Sequence, residues 1–240
     1  RLVNVVRRVQ PYLLIGWVAG VLLLSGRLVL GLAGVQRLRR DRHQISRELG
    51  CRIESLGRKL GLRCMPRAVA SGRVREAIAV GCLRPMILIP AAWIMEMTPE
   101  VLDAVIAHEL AHVRRWDLWV NLFQRLMETW LFYHPAVWWL SRRMGVEREM
   151  CCDALAVAAT GQRIVYVEAL EVVALRRLTP TFPALGAAIG DSKMALLNRI
   201  RYILGMPTAP AKVQWWPVGL VALFLPLALW TLYGTTLRLV

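Results

Sequence analysis

The residues best suited to chemistry stand in the run His108-Glu109-Leu110-Ala111-His112. Two histidines four positions apart lie one turn apart on the same face of a helix, so their imidazoles can grip a single ion. Glu109 is turned about 100 degrees from His108. It is therefore poorly placed to complete that grip, but well placed to reach a water on the ion's open side, the position of a general base. The same pattern arises by chance on solvated helices. Here Val105-Ile106-Ala107, Leu110 and Ala111 make the surroundings apolar, and two of the chain's four histidines are spent in this one turn. A purpose-built site is the better expectation.

A catalytic zinc takes three protein ligands and leaves its fourth position to water, which calls for another ligand downstream. Glu149, in Glu147-Arg148-Glu149-Met150-Cys151-Cys152-Asp153, is the expected one. A helix there sets Glu149 and Asp153 one turn apart on one face, with Asp153 supporting the ligands from behind. Asp117 fits two roles: acceptor for the free N–H of a metal-bound imidazole, or helix N-cap. Glu147 is expected in a solvated ion pair. Cys151 and Cys152 point about 100 degrees apart on a helix and read as small packing residues. His134 precedes Pro135, which disfavours helix and assigns it to packing, while His43 follows an arginine-rich run and is expected in solvent.

These side chains need elements to hold them. Thr98-Pro99-Glu100 has the signature of a helix start, with Thr98 as cap, so the motif helix begins there. Residues Gln44 to Leu60 alternate at helical spacing, and short apolar runs at Ala68–Ala70, Ala77–Val80 and Met86–Ile89 predict a small sheet. Trp116 to Leu140 is apolar but carries Asp117, Arg125 and Glu128. Its uncharged part, Thr129 to Ser141, is shorter than the ~20 residues a span requires, which predicts helices packed on the core and grazing a membrane.

A hydrophobic content of 57% exceeds what a soluble domain usually carries, so part of the chain is expected to face lipid. Pro11 to Gln36 is apolar apart from Arg27, and Val213 to Leu237 has no charge. The expected organisation is a transmembrane helix over 1–36, a zinc metallopeptidase domain over 37–212 and a second transmembrane helix over 213–240. Arg37, Arg39, Arg40, Arg42 and Arg47 after the first span outnumber Arg1, Arg7 and Arg8 before it, which places the middle in the cytoplasm. An odd count of five cysteines with no CxxC pair agrees with a reducing compartment. The net charge of +15 comes without any nucleic-acid-binding signature, so membrane lipids are the expected counter-charge and no direct nucleic-acid partner is expected. The chain opens on Arg1 without a readable leader and is expected to be part of a longer protein. Linker-like stretches occur at Thr179 to Pro183 and Met206 to Lys212, and nothing speaks to oligomeric state.

Taken together, His108 to His112 with Asp117, Tyr133-His134-Pro135 followed by Trp138-Trp139, Glu147-Arg148-Glu149 leading to Cys152-Asp153, and Arg84-Pro85 with Ile87 to Pro90 resemble the beta-lactam-sensing antirepressor family. These are integral-membrane zinc metallopeptidases of the gluzincin type, related to HtpX and CAAX prenyl proteases. The resemblance implies an α+β, mostly helical zincin-type fold with a small sheet, flanked by transmembrane helices of a bacterial-type inner membrane. It also implies that Zn2+ is held by His108, His112 and Glu149, and that Glu109 is catalytic. Peptide or protein substrates would include the chain itself and a transcriptional repressor. The sequence departs from that family in lacking a Ser-x-x-Lys acylation motif. Substrate is expected to lie extended along the edge near Ile78 to Pro90, with Ile87 and Leu88 as the pairing strand. The rival readings are a quality-control membrane protease and a non-catalytic signalling scaffold.

Overall fold

The computed structural model describes residues 2–40, 43–177 and 196–207. Its elements are α1 (Leu2–Leu38), α2 (Arg47–Lys59), β1 (Arg67–Ser71), β2 (Ile78–Val80), β3 (Met86–Pro90), α3 (Ala91–Glu96), α4 (Pro99–Arg114), α5 (Asp117–Trp130), α6 (Pro135–Thr160) and α7 (Arg163–Arg177). A further helix of about two turns, 196–203, is called α8 here. The fold is mostly helical α+β with one small sheet, as expected. The stretch 213–240, expected as a second span, lies outside the described residues.

The sheet has the order β1-β3-β2, with β1 parallel and β2 antiparallel to β3. Alternate side chains of a strand face opposite ways, and β3 is buried on both faces because each face has its own partner. Ile87 and Ile89 enter the main core with Leu49, Ile53 and Leu56 of α2 and Ile106 and Leu110 of α4. Met86 and Leu88 pack with Val69 and Val80 against Val35 and Leu38, where α1 meets the sheet. The outer side of β1 is closed by His43, which exchanges two backbone hydrogen bonds of 2.9 Å with Ala70. Among the described residues, β2 therefore provides the open edge.

The central helix is α4, buried almost all round from Val101 to Ala111. Thr98 is its N-cap residue, but the side chain makes no capping bond, contrary to expectation; the Thr98 carbonyl accepts from the Leu102 amide at 3.0 Å. The helix start is held instead by Arg52 of α2, which donates to the Pro99 carbonyl and pairs with Asp103 at 2.7 Å. Among the described residues, α1 is the one helix long and apolar enough to cross a membrane, over Gln10–Leu38.

Candidate metal centre

The one partly open face of α4 carries His108, Glu109 and His112, and opens into a cleft of about 860 Å³. The Nε2 atoms of the two histidines are 3.2 Å apart. Glu149, from the middle of α6, brings Oε2 to 3.4 Å from His108 Nε2 and Oε1 to 3.7 Å from His112 Nε2. Ligands about 2.1 Å from a tetrahedral ion are separated by about 3.4 Å, the edge of the tetrahedron. The three inward-facing donors thus have the spacing a tetrahedral ion requires, and the set of two imidazoles and a carboxylate suits a borderline-soft divalent metal.

Each imidazole is held from behind. His112 Nδ1 lies 2.9 Å from Asp117 Oδ2, so that its N–H donates to the carboxylate and its Nε2 lone pair faces inward. Asp117 is thus the acceptor and not the N-cap. That position belongs to Trp116, whose φ of 61° turns the chain between α4 and α5 and swings Asp117 beneath His112. A bulky residue in the left-handed region is strained, and the strain here serves to place Asp117. Cys152, fully buried, donates to Asp117 Oδ2 at 3.2 Å. Burial and Asp117 push its thiol pKa well up, so it supports His112 as a neutral group.

On the other side, Tyr166 of α7 donates to Asp153 Oδ1 at 2.7 Å, and His108 Nδ1 lies 2.8 Å from the Tyr166 hydroxyl and 3.2 Å from Asp153. Asp153, one turn beyond Glu149 and completely buried, lies behind His108 on the side away from the other two donors. Its own countercharge was not legible. Arg199 of α8 grips Asp153 through Nε and a terminal nitrogen, both at 2.7 Å, and sets its other nitrogen 3.3 Å from Glu149. Sequence reasoning missed Arg199, because one arginine among 31 basic residues carries no local signal.

Burial opposes a charge on His108, but Asp153, Glu149 and Glu109 outweigh it and raise its pKa to about 9. Burial likewise opposes ionisation of Glu149, yet His108 and Arg199 pull it down to about 2. Asp153 is held well below the carboxylate range by Arg199 and His108 against the cost of burial. Glu109 goes the other way: burial raises its pKa, only partly offset by the two histidines and by the Ala79 amide, which donates to Oε2 at 2.7 Å. A pocket with four clustered carboxylates that draws a proton onto a histidine is one in which a cation is favoured.

The remaining expectations divide. Ile87 and Leu88 lie in the central strand, paired on both sides and 0% exposed, so neither can receive a substrate strand; that part of the expectation is corrected. The open edge beside the site is β2, where the Ala79 amide points away from β3 toward Glu109. Tyr133 and His134 stand at the start of α6, about 20 Å from Glu149 along its axis and away from the three donors. Arg148 lines the cleft and donates to Gln124 Oε1 at 2.9 Å. Glu147 pairs with Arg143 at 2.8 Å on the surface, as expected.

Known proteins share this arrangement of sequence. The chain is 31% identical over 100 residues to the regulatory protein BlaR1 of Bacillus licheniformis, covering 42% of this chain and 16% of that protein. It is also 31% identical over 130 residues to a protease HtpX homolog from a Bacillus licheniformis strain, covering 50% of this chain and 44% of the relative. The chain thus spans less than half the length of either. The family model described as BlaR1 peptidase M56 matches residues 3–203, from the start of α1 through the motif helix, Glu149 and Asp153 to the end of α8. With so much of its length matched, the chain belongs to the BlaR1 peptidase M56 family.

Proposed function

We propose that this chain is the catalytic part of a membrane-anchored zinc endopeptidase, with His108, His112 and Glu149 as metal ligands and Glu109 as general base. The observation that carries the proposal is the tetrahedral spacing of the three donors beside a half-buried carboxylate on an open strand edge. Zinc held there would supply Lewis acidity, acidifying a water and polarising a scissile carbonyl. Asp117, Asp153 and Tyr166 fix both imidazoles with Nε2 facing inward. Glu109, its pKa raised by burial, accepts the water's proton and returns it to the leaving amine. An extended peptide pairs with β2 at Ala79, where backbone bonding gives affinity without demanding one sequence. Arg148 lines the cleft and is the cation we assign to the developing oxyanion.

The proposed organisation is a span within 1–36, a cytoplasmic peptidase domain over 37–212 and a further span over 213–240 in a bacterial-type inner membrane. The name of one relative, a regulatory protein, supports signalling by cleavage of the chain itself or of a cytoplasmic repressor. The name of the other, a protease, supports a second reading as a quality-control enzyme acting on unfolded membrane proteins. The test is zinc content and cleavage, of the chain itself and of an unfolded protein, in detergent. Glu109→Gln should keep about one zinc per chain and lose at least about a hundredfold in activity. Glu149→Ala should weaken zinc binding. A wild-type chain without zinc or cleavage would overturn the proposal.

A further inference from the structure

The segment between the motif helix and Glu149 carries its polarity the wrong way round for water. On α5, Trp119, Phe123, Leu126 and Trp130 recur at helical spacing to form one stripe, and all are exposed, Phe123 by 62% and Trp130 by 61%. About 200 degrees round the same helix, Gln124 and Glu128 turn inward against α6. Glu128 is 6% exposed and accepts from the Ser141 hydroxyl, itself buried, while Gln124 donates to the Ser141 carbonyl at 3.0 Å and accepts from Arg148. Water favours the opposite arrangement, with apolar groups inside and carboxylates outside. Hydrocarbon favours this one, because polar groups there must satisfy each other.

The position of this segment along α1 is equally informative. The Trp17 indole donates to the Trp130 carbonyl at 3.2 Å, and a Cβ at Gly20 would run into the Phe132 ring. Trp17 and Gly20 sit at the centre of the uncharged run from Pro11 to Gly26. The other end of α1 docks on the sheet through Val35 and Leu38, and Arg39 just beyond donates to the Arg84 carbonyl at 3.1 Å. From Gly20 to Leu38 is about 27 Å along a helix, so the turn at 131–134 projects by roughly that much from the sheet. The fourteen residues of α5 and the fifteen from Pro135 to Glu149 make limbs of nearly equal length, each about 21–22 Å. The tip, Thr129 to Ser141, has no charge; Arg125 and Arg142 flank it, and Arg125, paired with Glu128 at 2.7 Å, keeps its outer end exposed, as a snorkelling side chain does.

We propose that α5, the 131–134 turn and the start of α6 form a re-entrant hairpin inserted into the bilayer leaflet next to the metal centre, its tip near the midplane against α1 and its apolar stripe covered by lipid acyl chains. The metal centre, one limb length from the tip, then lies at the membrane surface. This rests on α1 crossing the bilayer and is independent of any peptidase chemistry.

The test uses the full chain in vesicles of phosphatidylethanolamine and phosphatidylglycerol. A nitroxide is attached through a keto amino acid at position 123, 130, 133 or 140, so that the native cysteines stay in place. Position 23 in α1 is the lipid control and position 95, 88% exposed on α3, the aqueous one. Accessibility to oxygen relative to a nickel chelate should be roughly tenfold higher at 130 and 133 than at 95, because the chelate is excluded from hydrocarbon. It should be greatest at 130 and 133 and lower at 123. Should 130 and 133 be as open to the chelate as 95 while 23 is not, the hairpin lies in water and the proposal fails. Should they be closed to both reagents, a second copy or another helix covers the stripe, and the proposal fails in the same way.

Discussion

Two imidazoles are each fixed by a buried carboxylate, and this dictates how the site responds to change. Asp153 is completely buried and Arg199 is its countercharge, so Arg199→Gln leaves an uncompensated carboxylate in the core. Breaking a buried pair in this way costs about 3–5 kcal/mol, and loss of support behind a ligand costs about 10–100-fold in metal affinity. Thermal unfolding and chelator competition should show both, with Arg199→Lys intermediate because it keeps the charge but not the paired bonds. In chelator, His108 should mark the pH dependence. Its folded pKa of about 9 stands above its ordinary value of 6.5, so the stabilisation is complete below 6.5 and is lost as pH rises through 9. The metal-free chain should lose on the order of 3 kcal/mol over that window. A melting temperature equally pH-dependent in His108→Gln would refute this assignment.

At the scale of elements, the site is a helix face set against a strand edge. The Ala79 amide donates to Glu109 and faces away from β3, so the ladder between β2 and β3 does not depend on it. Ala79→Pro removes that donor and the pairing group for an extended peptide, while leaving the histidines and Glu149 in place. The expected outcome is retained metal with cleavage reduced at least about tenfold, read by metal analysis and peptide hydrolysis on one preparation. The long α6 ends at Gly161, whose φ of 73° suits glycine and whose amide bonds the Val157 carbonyl at 2.8 Å. Gly161→Ala should destabilise by about 1 kcal/mol in a denaturant titration without altering metal binding, because the strain is confined to the helix end.

For the whole molecule, the fold joins a helix long and apolar enough to cross a membrane to the candidate metal centre through the sheet. The proposed cytoplasmic placement of the domain rests on the positive-inside rule, since Arg37, Arg39, Arg40, Arg42 and Arg47 outnumber Arg1, Arg7 and Arg8. Added protease should therefore digest the domain in inverted inner-membrane vesicles and spare it in intact spheroplasts; the reverse pattern would overturn the orientation. The net charge of +15 further predicts binding to the headgroups of anionic vesicles that weakens as salt screens it.

What the sequence by itself determined was whatever depends on local periodicity. His108 and His112 share a face because they are four apart, Glu149 and Asp153 share one for the same reason, and the apolar run of α1 is legible from its length. The helix before the sheet and the three short strands follow from spacing and turn residues in the same way. The tertiary structure decided which partners those faces meet. Arg199 reaches Asp153 across 46 residues, Tyr166 reaches His108 across 58, and Ala79 reaches Glu109 across 30. Apolar alternation marks Ile87 and Leu88 as strand, but cannot say whether that strand is central or edge, and pairing made it central. Asp117 had two local roles open to it, and the left-handed turn at Trp116 chose between them. The polar stripe of α5 looks solvent-facing in isolation; only its burial against α6, opposite an exposed apolar stripe, shows the helix to be inverted. Spacing along one helix sets which side chains point together, whereas which surfaces meet is settled by the packing of distant segments.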